Sequence, residues 1–392
     1  MRNAEQQGRV PSQEPASHLD DRALCSAFRV PRFAFGGGGA VRERVLVAMS
    51  GGVDSSVAAA LLVEAGYDVV GATMKLFCYG DAVPDRPCCS LDSITDARLV
   101  AHKLGIPHYV LNFEDRFGRD VIANFVAEYA RGRTPIPCVR CNSFTKFRDF
   151  LYHADALDCA YIATGHYAIA RDGALFRGRD PRKDQSYFLW GIDRTVVARM
   201  LTPVGALSKR ETRDVARRLG LVTADKVESV EICFVPDDDY MGVLERHLPA
   251  DAPALTPGPL VTAGGAVVGE HAGFARYTIG QRRGLPGGFR EPMYVVAIRP
   301  ETREVVIGSG DELFGHTVTL GEVNWLAEPR APGDGVLMQC RYRAPAVPGR
   351  VREVTGGTIA VDLAQPVRAI TPGQSGAMYD PDGRLLGGGV IA

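Results

Sequence analysis

Apolar positions in the first half of the chain alternate between short continuous runs and helical spacing. Val45-Leu46-Val47-Ala48-Met49 is unbroken, the mark of a strand buried on both faces. The polar, glycine-rich Ser50-Gly51-Gly52-Val53-Asp54-Ser55 follows, and a helical pattern over 57–64 then ends at Gly66. A strand is predicted over 68–74. A helix follows over 92–104, with Ile94, Ala97, Val100 and Leu104 on one face. Next come a strand over 106–111 and a helix over 121–130. Asn142 is placed to cap a helix carrying Phe144, Phe147, Phe150 and Leu151. Tyr161-Ile162-Ala163 gives one more strand. This alternation predicts an α/β, Rossmann-like parallel sheet with its ligands at the carboxyl ends of the strands.

Ser208 and Glu211 form a capping box, and Gly220 stops the helix they open. Beyond residue 248 Gly and Pro become frequent. Short β-branched runs recur at 261–262, 267–268, 294–298, 305–307, 318–320 and 358–361. That texture predicts a small β-rich module followed by a β-barrel-like one. The expected division is a disordered, Pro-bearing extension over 1–42, ending in Gly36-Gly37-Gly38-Gly39, then a catalytic domain over 43–245, a central β-rich domain over 246–308 and a C-terminal barrel over 309–392.

A length of 392 residues suits two or three domains, and 46% hydrophobic content excludes wholesale disorder. Lys and Arg total 45 against 46 Asp and Glu, so a uniformly basic nucleic-acid coat is excluded while local patches are not. No apolar run approaches the roughly 20 residues of a membrane span, and the first residues lack the apolar core of a secretory signal. Nine cysteines without such a signal predict reactive thiols or metal ligands in a reducing cytoplasm.

The Ser50–Ser55 segment has the makings of a phosphate cradle. Its glycines let backbone N–H groups converge on an anion, and the following helix adds positive potential. It lacks the Gly-Lys-Ser/Thr ending of a Walker loop. Asp54 beside such a site suggests Mg²⁺. As a sequence, Ser-Gly-Gly-Val-Asp-Ser after an apolar strand resembles the PP-loop of ATP pyrophosphatases, enzymes that adenylate a carbonyl oxygen and release pyrophosphate.

Further segments narrow the resemblance: Gly132-Arg133-Thr134-Pro135-Ile136-Pro137-Cys138-Val139-Arg140-Cys141-Asn142; Ala163-Thr164-Gly165-His166-Tyr167; Lys183-Asp184-Gln185-Ser186-Tyr187-Phe188; Glu231-Ile232-Cys233-Phe234; Thr278-Ile279-Gly280-Gln281-Arg282-Arg283-Gly284-Leu285; and Thr371-Pro372-Gly373-Gln374-Ser375. Together, from about residue 44 onward, they resemble the bacterial tRNA 2-thiouridylases. That resemblance implies an enzyme that makes 2-thiouridine at the wobble position of tRNA. It implies ATP bound by Ala48, Met49, Ser50, Gly51, Gly52, Val53, Asp54, Ser55, Met74 and Gly165. Cys141 would be the nucleophile and Cys233 the persulfide carrier. Ile136, Pro137 and Cys138 would meet the target base. His166, Lys183, Asp184, Gln185, Arg341, Tyr342 and Gln374 would meet the anticodon loop. The partners implied are tRNA and a sulfur-relay protein or cysteine desulfurase, with no membrane.

The chemistry fits these parts. The C2 carbonyl of uracil is a weak electrophile whose oxygen leaves poorly, and adenylation turns that oxygen into AMP, a good leaving group. Sulfur then has to arrive as a nucleophile, and one thiol can release it from a persulfide on another. Cys25, Cys78, Cys88, Cys89, Cys159 and Cys340 read as small buried hydrophobes. One departure from the family matters. Well-known members have aspartate where this chain has Cys138, which creates a Cys-x-x-Cys with Cys141. With Cys233 this makes three thiolates, the complement of a [4Fe–4S] cluster with one open iron, a second route for carrying sulfide. An amidating PP-loop ligase and a non-catalytic RNA-binding protein are the competing readings. The first needs no cysteines, and the second needs no intact loop.

Between 271 and 300 lie Arg276, Arg282, Arg283, Arg290 and Arg299 with one acid, Glu291, and Arg341-Tyr342-Arg343 sets an aromatic between cations. Such clusters suit phosphate contacts and stacking on unpaired bases. Affinity for tRNA is therefore expected to fall steeply with salt despite the near-zero net charge. A flat response in a binding titration at several salt concentrations would detach these arginines from RNA binding.

Overall fold

The computed structural model describes residues 42–77, 91–228 and 232–392. The predicted extension, apart from Arg42, lies outside them, as do Cys25, Cys78, Cys88, Cys89 and Glu231.

A five-stranded sheet has the order β3-β2-β1-β4-β7, from β1 (Arg44–Ala48), β2 (Asp68–Lys75), β3 (His108–Asn112), β4 (Tyr161–Ala163) and β7 (Met200–Leu201). All its pairings are parallel, with Val45 opposite Val69 and also opposite Tyr161. The chain steps outward from β1 to β3 and then returns to the other side of β1. The strand order therefore reverses between β1 and β4, where such sheets open a crevice. A two-stranded hairpin, β5 (Ala168–Arg171) and β6 (Ala174–Arg177), separates β4 from β7.

Helices cover both faces. On one, Val45 and Val47 pack with α1 (Val53–Glu64), α2 (Leu91–Leu104) and α6 (Lys209–Arg218). On the other, Leu46 and Ile162 pack with Phe147, Phe150 and Ala154 of α4 (137–156). Helix α1 opens at Val53, earlier than the pattern predicted, so Asp54 and Ser55 lie in its first turn. A preceding helical run, α3 (114–130), and α4 each contain a turn of π-winding, at Gly118–Ile122 and Cys141–Lys146. Pro137 begins α4, and Asn142 is no cap. It sits buried inside the helix and donates through Nδ2 to the Phe188 carbonyl at 3.1 Å. The predicted capping box is formed: Ser208 Oγ accepts from Glu211 N–H at 3.3 Å, and Glu211 accepts from Ser208 N–H at 2.7 Å. Short helices α5 (Arg194–Ala198) and α7 (Tyr240–His247) complete the helical set used here.

The β-rich half has two parts. β8 (Gly258–Thr262), β9 (Val267–His271), β10 (Tyr294–Arg299) and β11 (Glu304–Gly308) form a sheet of order β10-β11-β8-β9. β12 (Phe314–Trp325), β13 (Gly335–Gln339), β14 (Val347–Thr355), β15 (Thr358–Arg368), β16 (Ser375–Tyr379) and β17 (Leu385–Ile391) close a six-stranded barrel. The barrel shares a core cluster with the parallel sheet through Leu326, Ala377, Tyr379 and Leu385. No helix among the described residues is long and apolar enough to cross a membrane.

Two glycines set the spacing at the crevice. Gly51 has φ +71, and a Cβ there would lie 2.1 Å from the Ser93 carbonyl oxygen of α2. A Cβ on Gly165 would lie 2.6 Å from Ser55 N. Gly165→Ala is expected to lower the unfolding free energy of the nucleotide-free protein by about 1–3 kcal/mol through overpacking. Gly52→Ala, whose Cβ would meet only Ser50 Oγ at 3.4 Å, is expected to cost less. Paired denaturant titrations check the order.

Candidate active site

The glycine loop leaves β1 at the sheet's carboxyl edge and turns into α1. Ser55 Oγ accepts from Ser50 N–H at 3.1 Å and lies 3.2 Å from Ser50 Oγ, while Ser55 and Ser56 donate to the Gly52 carbonyl. These bonds hold the loop curved around the N-terminus of α1, where unpaired backbone N–H groups favour an anion. Met49 is buried, Ala48 half-buried, and Gly165 closes the turn from β4. Met74 is the penultimate residue of β2, the strand that pairs with β1. The predicted nucleotide residues therefore meet at the carboxyl ends of β1, β2 and β4.

Asp54 does not stand open to a metal. Lys209 Nζ donates to both of its carboxylate oxygens, at 2.7 and 2.9 Å, and Tyr167 Oη donates at 2.8 Å. A cation already fills that side, so the suggestion of Mg²⁺ on Asp54 does not fit this arrangement. Lys209 also pairs with Glu228 at 3.1 Å, and Glu228 pairs with Lys183. Burial and the Asp54 charge push the Tyr167 phenol up, so it stays a donor. Lys209 occupies the first position of α6, where the helix dipole disfavours a cation. The two carboxylates offset that cost. The sequence reading missed Lys209, Tyr167 and Glu228. The only signal was a lysine in the first turn after a capping box.

The thiols are placed differently from one another. Cys141 is buried in α4, within an apolar cluster that includes Leu76, Phe117, Phe125 and Phe234. Cys233 and Met74 are half-buried and packed against that same cluster, which extends on to Leu260, Val295 and Ile307 of the central sheet. Cys138 is exposed. Among the described residues no three His, Cys, Asp or Glu side chains are grouped as metal ligands, so Cys138, Cys141 and Cys233 do not form a ready [4Fe–4S] site. Cys159 and Cys340 are buried, as expected, and burial pushes their thiols up to about 11 and about 12.

His166 follows Gly165, with Nδ1 2.8 Å from Thr164 Oγ1 and its ring 5.7 Å from that of Phe147. Burial, with the nearby Lys146 charge, pushes its pKa down to about 3. The ring is neutral at ordinary pH and can meet RNA only as a hydrogen-bonding group.

Several predicted RNA contacts are engaged inside the protein. Asp184 accepts from Gly178 N–H, Ser186 N–H and Arg177, and Gln185 Oε1 accepts from Tyr167 N–H at 2.9 Å. Tyr342 lies against Phe188, with ring centroids 4.4 Å apart. Arg341 donates to the Ile279 carbonyl and to Thr371 Oγ1. Gln374 donates to the Thr134 carbonyl at 2.9 Å, and Thr134 N–H donates to the Pro372 carbonyl at 2.9 Å. These joints fasten Ile136, Pro137 and the start of α4 to the barrel. Arg282, Arg283 and Arg290 remain exposed, with no carboxylate partner among the described residues.

A phosphate-shaped loop at the switch point of a parallel sheet, with two thiols in or against one apolar cluster, defines a nucleotide-dependent enzyme of the HUP-domain class. Residues 43–237 match the family model described as the tRNA methyl transferase HUP domain, 242–309 its PRC-barrel domain, and 315–391 the aminomethyltransferase beta-barrel domain. The tRNA-specific 2-thiouridylase MnmA of Symbiobacterium thermophilum is 45% identical over 374 residues, covering 91% of this chain and 94% of that protein. Its counterpart in Rhodospirillum centenum is 48% identical over 361 residues, 89% and 91% of the two chains. The chain belongs to the tRNA-specific 2-thiouridylase family. Solved structures are more remote: the U34-tRNA thiolase NcsA from Methanococcus maripaludis with its [4Fe-4S] cluster is 16% identical, covers 49% of this chain and 62% of its own, and has a TM-score of 0.34.

Burial opposes ionisation of Glu228, but hydrogen bonds from Lys183 and Lys209 outweigh it and hold the carboxyl below its ordinary value of 4.5. Its contribution to stability is complete above that pH and is lost as pH falls through the lower folded value. Glu228→Gln is expected to flatten this part of the acid limb in thermal unfolding measured against pH. An unchanged limb would remove Glu228 from the network.

Proposed function

We infer that this member of the 2-thiouridylase family is a tRNA-uridine 2-sulfurtransferase, replacing the C2 oxygen of the wobble uridine with sulfur at the expense of ATP. We propose that the Ser50–Ser55 loop holds the departing pyrophosphate while the C2 oxygen is adenylated. Lys209, at the mouth of the same turn, supplies positive charge as phosphate negative charge is redistributed. Any Mg²⁺ would ride on the phosphates and not on Asp54.

Sulfur arrives from a donor protein as a persulfide on Cys233. The Cys141 thiolate attacks the Cys233 sulfur, forms a Cys141–Cys233 disulfide and releases hydrosulfide. Hydrosulfide adds to C2, and AMP leaves with the original oxygen. A thiol reductant returns the disulfide to two thiols before the next turnover. Ile136, Pro137 and Cys138 border the base. Gln374, Arg341, Asp184 and Gln185 act by fixing the surfaces that the RNA meets, and Lys183 by holding Glu228. The exposed Arg282, Arg283 and Arg290 take phosphates. The working parts divide as a catalytic domain over 43–245, a central RNA-binding domain over 246–308 and a barrel over 309–392.

The observation that carries this reading is the family match over about nine-tenths of the chain, together with an apolar cluster that contains Cys141 and has Cys233 packed against it. The disulfide route requires the two thiols to meet, and their share in one apolar cluster is consistent with that. The test is mass spectrometry of tRNA nucleosides after incubation with ATP, Mg²⁺ and a cysteine desulfurase as donor. Cys233→Ser is expected to abolish 2-thiouridine while leaving tRNA affinity unchanged. Sustained thiolation by that variant would refute the persulfide assignment.

A further inference from the structure

Trp190 has no part in the chemistry above, yet it lines a cavity of about 260 Å³. The cavity lies where α4 meets the barrel, with Ile136, Arg140, Phe144, Trp190, Glu322 and Asn324 among its walls. It is below the usual range of drug-sized ligand pockets, roughly 300–1,000 Å³, so it suits one ring system and not a whole nucleotide.

Its chemistry is mixed in a specific way. Trp190 is 4% exposed, and its indole N–H has no acceptor among the described residues. A buried donor without a partner is costly and rare. Asn324 donates its amide nitrogen to the Trp190 and Ile192 carbonyls, at 2.7 and 2.9 Å, so it offers a ligand an oxygen acceptor. Phe144 is 41% exposed at the rim, with the Arg140 guanidinium 5.0 Å from its ring centroid. Arg140 is held by Glu322 of β12 at 3.0 Å. A donor, an acceptor, an aromatic face and a planar cation are what reads a splayed, unpaired nucleobase by stacking and by its edge.

Position adds to this. Val139, Arg140, Ser143 and Phe144 turn to the cavity, while Cys141, between them in sequence, belongs to the apolar cluster on the other flank of α4. An α-helix with its side chains is roughly 10–12 Å across. An RNA strand delivering one base to the thiol flank therefore passes a neighbouring base over this rim.

We propose that this cavity is a second base pocket, which takes an unpaired base flanking the one that is thiolated. It rests on the tRNA reading above and extends it from one base to two. Stacking on Phe144 and the Trp190 N–H and Asn324 contacts give the pocket a preference among bases, making it a specificity site that adjoins, through Ile136, the place proposed for the target base.

The experiment measures binding of the full chain to anticodon stem-loop RNAs, intact or abasic at one loop position at a time, and thiolation of the same RNAs by mass spectrometry. For the wild-type protein, loss of one flanking base is expected to weaken binding by about tenfold or more. Phe144→Ala changes an exposed side chain. It should weaken binding of intact RNA similarly, and then bind intact and flank-abasic RNA alike, while still losing affinity when the target base is removed. Trp190→Phe keeps a ring in place, and should reduce discrimination among bases at the flanking position. Additive losses from Phe144→Ala and every abasic substitution, in a protein that still thiolates tRNA, would overturn the pocket alone. A folded wild-type protein that makes no 2-thiouridine would overturn the function and the pocket together.

Discussion

The active-site helix is held from outside its own domain. Gln374 and Pro372, in the turn before β16, bond to both sides of the Thr134 peptide, and Arg133 donates to the Ile391 carbonyl at 2.9 Å. Thr134 Oγ1 also lies 3.3 Å from Thr278 Oγ1. The two residues that follow, Pro135 and Ile136, lead into Pro137, which opens α4 and so fixes Cys138, Cys141 and the cavity wall together. A small slip at Thr134 would move the thiol flank and the base-facing flank as one body. In the reaction proposed, the barrel therefore acts through position and contributes no residue to the sulfur chemistry.

The second constraint is electrostatic. A phosphate cradle needs positive potential, but a cradle ringed by loose cations would be unstable when empty. Asp54 and Glu228 hold Lys209 in place between them. The arrangement keeps a mostly buried ammonium beside the loop without leaving it unpaired. An entering polyphosphate meets a charge already desolvated and oriented, which is where preorganised electrostatics has its largest effect.

Much of this was legible in the sequence because parallel strands buried on both faces read as continuous apolar runs. β1, β2 and β4 were visible for that reason, and the Ser208–Glu211 box because capping is local chemistry. The barrel was seen only in outline. β13, β14, β16 and β17 were missed. β17 carries Gly387-Gly388-Gly389 where strand propensity would call for branched residues, and a Cβ on Gly388 would lie 2.6 Å from Trp190 Cγ. Close packing overrode propensity there. Asn142 was misread because Pro137, a stronger start signal, lies upstream of it. The Lys209–Asp54 pair joins residues 155 positions apart, and no local pattern encodes it. The Gln374–Thr134 bond spans 240 positions and was hidden for the same reason.

The Arg133–Ile391 bond spans 258 positions, and β17 completes the barrel against β12 and β16. Contacts of such separation close slowly, after the entropy of a long loop has been overcome. During synthesis, the thiol-bearing helix is made long before the strand that fastens its entrance. The parallel sheet rests on contacts of shorter separation, so it can gather before the barrel closes. Ordering of the α4 entrance is therefore expected to follow closure of the barrel.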